Sequence, residues 1–177
     1  DPMAPPFNTS AVDLRLGPEI LIPKAGPAAF DLRQSGIKDF LTANSEKITI
    51  TKDQPYSLKR GDFVLGKTME LVDFPLPTTP KARRGAMKGQ KANGVFYSAR
   101  VEGRSSLARC GILIHFTAPT IHADFSGTIT LEITNLGPLN FLLYPGMFVC
   151  QLIIEEVKGL PYPGNNQFKG QTTPAGH

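Results

Sequence analysis

Long hydrophobic runs are absent from this 177-residue chain. No stretch approaches the ~18 apolar residues needed to span a bilayer, and no secretory signal is visible, so a soluble, cytoplasmic protein without a membrane partner is expected. Cysteine is scarce: only Cys110 and Cys150 occur. Both sit within apolar runs and read as two buried thiols of a reducing compartment, with a structural disulfide as the alternative. Two cysteines alone cannot build a zinc site, and their spacing matches no zinc motif. The chain has no P-loop and no Gly-rich dinucleotide fingerprint. It also lacks the H-x-E and P-C-x-x-C pair of the zinc deaminases and the G-x-S-x-G nucleophile elbow. No long amphipathic helix, heptad pattern or internal repeat is present.

What is present suits one ordinary globular domain over residues 1–177, with 41% hydrophobic and 19% charged residues in 19.2 kDa. The chain opens at Asp1 rather than Met, which leaves room for a short preceding piece. The net charge of +4 and a pI near 9.1 suggest an anionic ligand, either nucleotide phosphate or nucleic acid. Part of the basic excess is local: Lys81, Arg83, Arg84, Lys88 and Lys91 cluster between Pro80 and Gly94. With Gly85 and Gly89 and no apolar periodicity, residues 81–94 read as a flexible surface loop. Its charges are either simply solvated or touch phosphate or nucleic acid.

The pattern is mainly β. Ile48 to Thr51 is β-branched, Phe63-Val64-Leu65 follows the turn signal Arg60-Gly61-Asp62, and Gly111 to Thr117 alternates. From Thr128 to Thr134, apolar Ile129, Leu131 and Ile133 alternate with Thr130, Glu132 and Thr134, the period-two mark of a strand with one buried face. Met147 to Glu155 is another strand, entered by Tyr144-Pro145-Gly146. Repeated Gly and Pro turns between short strands suggest a sandwich or barrel. Short helical turns are expected at Ala28 to Leu32 and at Leu107 to Gly111. The Pro-, Gly-, Asn- and Gln-rich tail, 161–177, is expected to be disordered or held by a ligand or partner.

The densest polar cluster is Glu102-Gly103-Arg104-Ser105-Ser106-Leu107-Ala108-Arg109. Two guanidinium forks and two hydroxyls can hold phosphate oxygens, and Gly103 allows close backbone approach. If the Ser pair opens a helical turn, its free N–H groups add to an anion site. The plainer reading is an N-cap with two surface arginines. Glu132 lies mid-strand, so its carboxylate is either on the solvent face, the default, or in a cleft. In a cleft, desolvation would raise its pKa toward neutrality and suit it to proton transfer. His115, between Ile114 and Phe116, reads as a hydrogen-bonded core residue more readily than as a catalyst. His122 is either a ligand contact or a polar turn residue.

These blocks, taken in order, resemble the dCTP deaminase family of the dUTPase-like superfamily. The likeness runs through Ser10 to Gly17, Arg60 to Gly66, Arg104 to Arg109, His115 to Ala118, Phe125 to Glu132, Leu143 to Met147 and Cys150 to Ile153. Ile20 to Lys47 and the basic loop fall outside it. The resemblance implies a distorted, jelly-roll-like β-barrel that assembles as a homotrimer with active sites at subunit interfaces. It implies hydrolysis of dCTP to dUTP and ammonia without zinc, with magnesium carried on the triphosphate. Glu132 would be the general base and proton shuttle. Ser105 and the backbone carbonyl of Ala118 would hold the attacking water, and Arg109 would orient the constellation. Arg104, Ser105 and Ser106 would contact phosphates. Thr130, Leu131 and Glu132 would read the base edge, and Gln151 and Tyr162 would touch the nucleotide. The tail would close over the triphosphate through Lys169 and Gln171, and dTTP would be a candidate inhibitor. The chemistry stands without the label: cytosine needs a proton at N3 as water attacks C4, and one carboxylate can serve both, with fixed dipoles and arginines stabilising the developing charge.

Two departures stand out. The deoxyribose-facing aspartate of many relatives falls at His122, with Asp124 two residues on; in dUTPases and bifunctional members it is tied to pyrophosphate release. The usual Lys-Tyr pair of the tail is replaced by Gln167-Phe168, with Lys169 just beyond. The rival readings are a dUTP pyrophosphatase or bifunctional enzyme, and a non-catalytic nucleotide-binding homologue. A weaker rival uses the basic loop for nucleic acid, with binding that would fall steeply with salt.

Overall fold

The computed structural model describes residues 7, 10–26, 29–76, 95–159, 161 and 169–177. The basic stretch 81–94 and Tyr162 lie outside the described residues. Among the described residues, eleven strands and two short helices follow in order: β1 Val12–Arg15, β2 Glu19–Pro23, α1 Ile37–Ala43, β3 Ser45–Thr49, β4 Tyr56–Leu58, β5 Phe63–Asp73, β6 Phe96–Gly103, α2 Ser105–Ala108, β7 Ile112–Ile114, β8 Thr120–Ile121, β9 Ser126–Asn135, β10 Phe141–Leu143 and β11 Phe148–Val157. They form a five-stranded sheet β3-β2-β5-β9-β7, a four-stranded sheet β1-β11-β6-β8 and the pair β10-β4. All strand pairs are antiparallel. Side chains from all three sheets meet in one core, which gives the distorted barrel.

The central strand β9 follows the period-two pattern closely. Ile129, Leu131 and Ile133 are at most 1% exposed, and each such side chain contributes about 1.5–3 kcal/mol by leaving water. Thr130 and Glu132 project from the other face. Opposite β9, the β5 ladder shifts register between Lys67 and Leu71. Buried Thr68 repairs the break: its Oγ1 accepts from Ile129 N at 2.9 Å and donates to Glu70 O at 2.8 Å. Asn135, wholly buried, pins the end of β9 by donating Nδ2 to Leu58 O and Leu139 O while Oδ1 accepts from Gly137 N. The turn after α2 is locked to this end. Leu136 N donates to Gly111 O, and a Cβ on Gly137 would meet Cys110 O at 2.0 Å.

Several expectations change here. The strand expected over Gly111 to Thr117 stops at Ile114, because His115 adopts φ 60° and leaves the sheet. The helical turn expected at Ala28 to Leu32 does not form over Ala29 to Leu32. Asp31 instead accepts Arg33 N at 3.0 Å in an Asx-type turn, and the helix starts at Ile37. Both cysteines are free, but only Cys150 is buried. Cys110 is exposed, because it lies in the turn before β7 rather than in the strand. The tail also departs from expectation: Lys169 to His177 packs on the barrel of its own chain. Gly170 N donates to Ser126 O and Thr128 N to Gln171 O, while Gln171 Nε2 donates to Thr128 O. Gly127, at φ 146°, makes this possible, since a Cβ there would come within 2.7 Å of Gln171 O. Ala175 is buried against Leu21 and Leu65, and Lys67 Nζ donates to Thr172 O.

Candidate active site

A cavity of about 510 Å³ opens on the polar face of β9, within the size range of small-ligand pockets. Its wall includes Thr130 and Glu132 from β9, His115 and Ala118 from the segment after β7, and His122 from the turn after β8. Gln171, Pro174 and Ala175 of the tail complete it. Apart from Thr120, the rest of the wall is apolar, with Phe63, Leu65, Phe125 and Ile129 among its residues. Phe63 and Phe116 rings sit 5.9 Å apart and tilted beside it. Among the described residues, no lysine or arginine lines the cavity.

Glu132 therefore takes the cleft position and not the solvent face. Burial pushes its carboxyl upward, but His115 outweighs that: hydrogen bonding and charge from the imidazole hold Glu132 below its ordinary value of 4.5. The rise toward neutrality expected for a carboxylate in a cleft is thus reversed by a partner that the strand pattern did not announce. His115 Nδ1 lies 3.0 Å from Glu132 Oε2, off the ideal hydrogen-bond direction, and the imidazole is 7% exposed. Sequence reasoning read His115 as a buried polar residue, and its imidazole is indeed almost wholly covered, but its pairing with Glu132 was not foreseen. Its one legible signal is that its position is opposite Glu132 once β7 and β9 are paired in register.

Of the residues singled out in the sequence, Ala118, His122, Thr130, Glu132 and Gln171 come together in the cavity wall. Leu131 does not: its side chain is fully buried in the core, so only its backbone can face a ligand. Gln171 lines the wall with its amide committed to Thr128 O. Lys169 Nζ is held 2.6 Å from Asp124 Oδ1, and Asp124, at φ 82°, is absent from the cavity wall.

A second cluster lies outside this cavity. Ser105, Ser106 and Arg109 are exposed on α2 and its C-cap. Arg104 precedes them, its guanidinium 3.4 Å from Asp13 Oδ2 and 5.6 Å from the centre of the Phe148 ring. Gln151 donates to Asp13 Oδ1 at 2.9 Å. Strand pairing makes this cluster: Asp13, Gln151 and Glu102 stand in one row across β1, β11 and β6. Asp13, 8% exposed, is a second residue the sequence reading passed over. Among the described residues, no three His, Cys, Asp or Glu side chains converge as metal ligands.

The pattern of likeness agrees with this arrangement. Residues 94–157, which hold both clusters' central elements, match the family model described as dCTP deaminase-like. A dCTP deaminase, dUMP-forming, from Methanosphaera stadtmanae is 34% identical over 178 residues, covering 95% of this chain and 78% of the relative. The chain belongs to the dCTP deaminase family. Another relative of the same description, from Dictyoglomus thermophilum, is 38% identical over 82% of this chain. A dCTP deaminase from Halorubrum lacusprofundi is 36% identical over 84% of this chain. The chain spans 64% and 63% of these two relatives, respectively, less than two thirds of each. The crystal structure of 2'-deoxycytidine 5'-triphosphate deaminase from Agrobacterium tumefaciens shares the fold, with a TM-score of 0.61 and 18% identity over 89% of this chain and 42% of that one. Within the family frame, Glu132 and Ala118 fall in the cavity, while Ser105 and Arg109 fall on the separate α2 cluster.

Proposed function

We propose that this protein deaminates dCTP hydrolytically, releasing ammonia and dUTP by a zinc-independent mechanism with Glu132 as general base. The observation that carries the reading is the cavity in which a charged carboxylate, Glu132, stands beside the Ala118 segment and Thr130, in a chain of the dCTP deaminase family. A carboxylate held ionised can take a proton from water and pass it to N3 of cytosine as C4 is attacked. The Ala118 carbonyl and the Ser105 hydroxyl would hold that water, and Arg109 would orient it. Thr130, the Leu131 backbone and Glu132 would read the base edge.

The triphosphate needs cations, and among the described residues the cavity wall offers no lysine or arginine. Arg104, Ser105 and Ser106 would supply the phosphate contacts, with Gln151 and Tyr162 on the nucleotide and Lys169 and Gln171 from the tail. Because that cluster is not part of the cavity of its own chain, a homotrimer in which one subunit's α2 region meets its neighbour's cavity completes the site. Magnesium enters with the triphosphate as part of the substrate. Nucleic acid is not the expected partner, the site is that of a cytoplasmic nucleotide enzyme, and dTTP is a candidate inhibitor at the same cavity.

The product separates two readings. The resemblance ties pyrophosphate release to an aspartate at the position of His122, and Asp124 is turned onto Lys169; this favours stopping at dUTP. The names of the relatives, dUMP-forming, favour a second hydrolysis. Product analysis after incubation with dCTP, and separately with dUTP, plus magnesium decides. Ammonia and dUTP, with dUTP itself untouched, is the expected result. Pyrophosphate and dUMP would establish the bifunctional reading and make Asp124 the residue to test. Binding without turnover of either nucleotide would defeat the enzyme assignment.

A further inference from the structure

Glu132 and His115 face each other at the end of the β7–β9 ladder. The registered pairs Leu113 with Thr134 and Ile114 with Ile133 make His115 and Glu132 the next opposed positions. His115 N donates to Glu132 O at 2.8 Å. Opposed residues of an antiparallel pair project from the same face, so both side chains reach the cavity wall. The φ of 60° at His115 takes the chain off the sheet immediately after this contact. Such a conformation is uncommon for a residue with a Cβ and persists where surrounding contacts hold it. Backbone and side chain of His115 are thus both matched to one residue.

We propose that His115 is a positioning residue for Glu132: its imidazole engages Oε2 of the carboxylate and so fixes the rotamer and orientation of the general base. The proposal rests on the assignment of Glu132 as that base. Among the described residues, His115 is the one group within ion-pair distance of Glu132. Of the other polar groups on the wall, Gln171 is bonded to Thr128, and among the described residues no hydrogen bond joins Thr120, His122 or Thr130 to the carboxylate. Without its partner, burial would be opposed only by the backbone hydrogen bond at Glu132, and the balance would move toward the protonated form, which cannot accept a proton from water. With one oxygen engaged, the carboxylate keeps a single plane while it takes a proton from water and delivers one to the ring nitrogen. That fixed geometry is what makes a single group efficient in two successive transfers.

Carbon-detected NMR titration of the Glu132 carboxyl, run beside steady-state kinetics, tests this on the full chain with His115→Leu and His115→Asn. An asparagine amide can donate from near the Nδ1 position; leucine cannot. The leucine variant is expected to raise the Glu132 midpoint, since the lowering by the imidazole is lost. It should also lower kcat about 100-fold, with KM changed less than about threefold. Asparagine should restore most of both. An unmoved Glu132 midpoint in the leucine variant, or an asparagine variant no better than leucine, overturns the proposal. If the leucine variant does not fold, His115→Gln, which moves the donor one bond outward, takes its place with the same expected direction. The titration is read without nucleotide. A shifted midpoint together with a wild-type protein that releases no ammonia from dCTP would therefore defeat the base assignment and leave the pairing established.

Discussion

The cavity on β9 and the turn after β6 are built from opposite materials. The cavity is concave and largely apolar, and among the described residues it carries a carboxylate with a buried imidazole but no lysine or arginine. The turn is open and cationic, with Arg104 and Arg109 flanking two exposed serines. One suits a flat, neutral base whose protons must be moved in a dry place; the other suits a phosphate chain that stays hydrated. A nucleoside triphosphate needs both. The lesson of the difference is that two complementary half-sites on separate surfaces would serve one ligand only where copies associate, as the homotrimer proposed above would allow.

The largest effect expected on this comparison comes from the cavity side. Glu132→Gln keeps size and hydrogen-bonding capacity but removes the base. Ammonia release should fall about 1,000-fold or more while nucleotide affinity, measured by calorimetry, changes little. Near-normal turnover would take Glu132 out of the mechanism. Mixing sharpens the comparison further. Neither Glu132→Gln nor Arg109→Ala should turn over dCTP alone, but co-assembled one to one they should regain activity, about a quarter of the sites being fully wild type. A silent mixture would mean that both half-sites serve a single chain.

On the open side, Arg104→Ala should raise KM for dCTP about 10- to 100-fold with a much smaller effect on kcat. Thermal unfolding should shift by only a few degrees, because Arg104 is itself partly exposed and the buried Asp13 keeps its hydrogen bond from Gln151. An unchanged KM would remove Arg104 from phosphate binding. The smallest effect concerns reactivity. Burial, with the charges of Glu70 and Asp13, pushes the Cys150 thiol up to about 12, so at pH 8 it stays protonated; Cys110 is exposed. A thiol reagent should label one site per chain, Cys110, without loss of activity; labelling of Cys150 in the folded protein would contradict its burial.

The polar stretch from Arg104 to Arg109 and the alternation around Glu132 were both legible, yet their relation was not. Periodicity tells that Glu132 opposes the core-facing Leu131 and Ile133, but whether that second face meets solvent or a cavity depends on what covers it. Here the covering elements are the segment after β7 and the C-terminal tail, the latter some forty residues away along the chain. The tail's composition suggested disorder. It packs because Gly127 lets Gln171 approach and because Ala175 finds Leu21 and Leu65, contacts that no local pattern encodes. Likewise Cys110 and Cys150 sit in similar apolar neighbourhoods of sequence, and only the strand boundaries separate the exposed thiol from the buried one.

By itself the sequence determined the class of fold, the register of β9 and the chemical groups available, because side-chain alternation and turn residues act locally. Tertiary structure alone decided that Glu132 is buried beside His115, that the charge on that carboxylate is favoured instead of suppressed, and that the arginines lie apart from it. Those outcomes depend on strand pairing and on the desolvation it produces, and both arise only between segments distant in the chain.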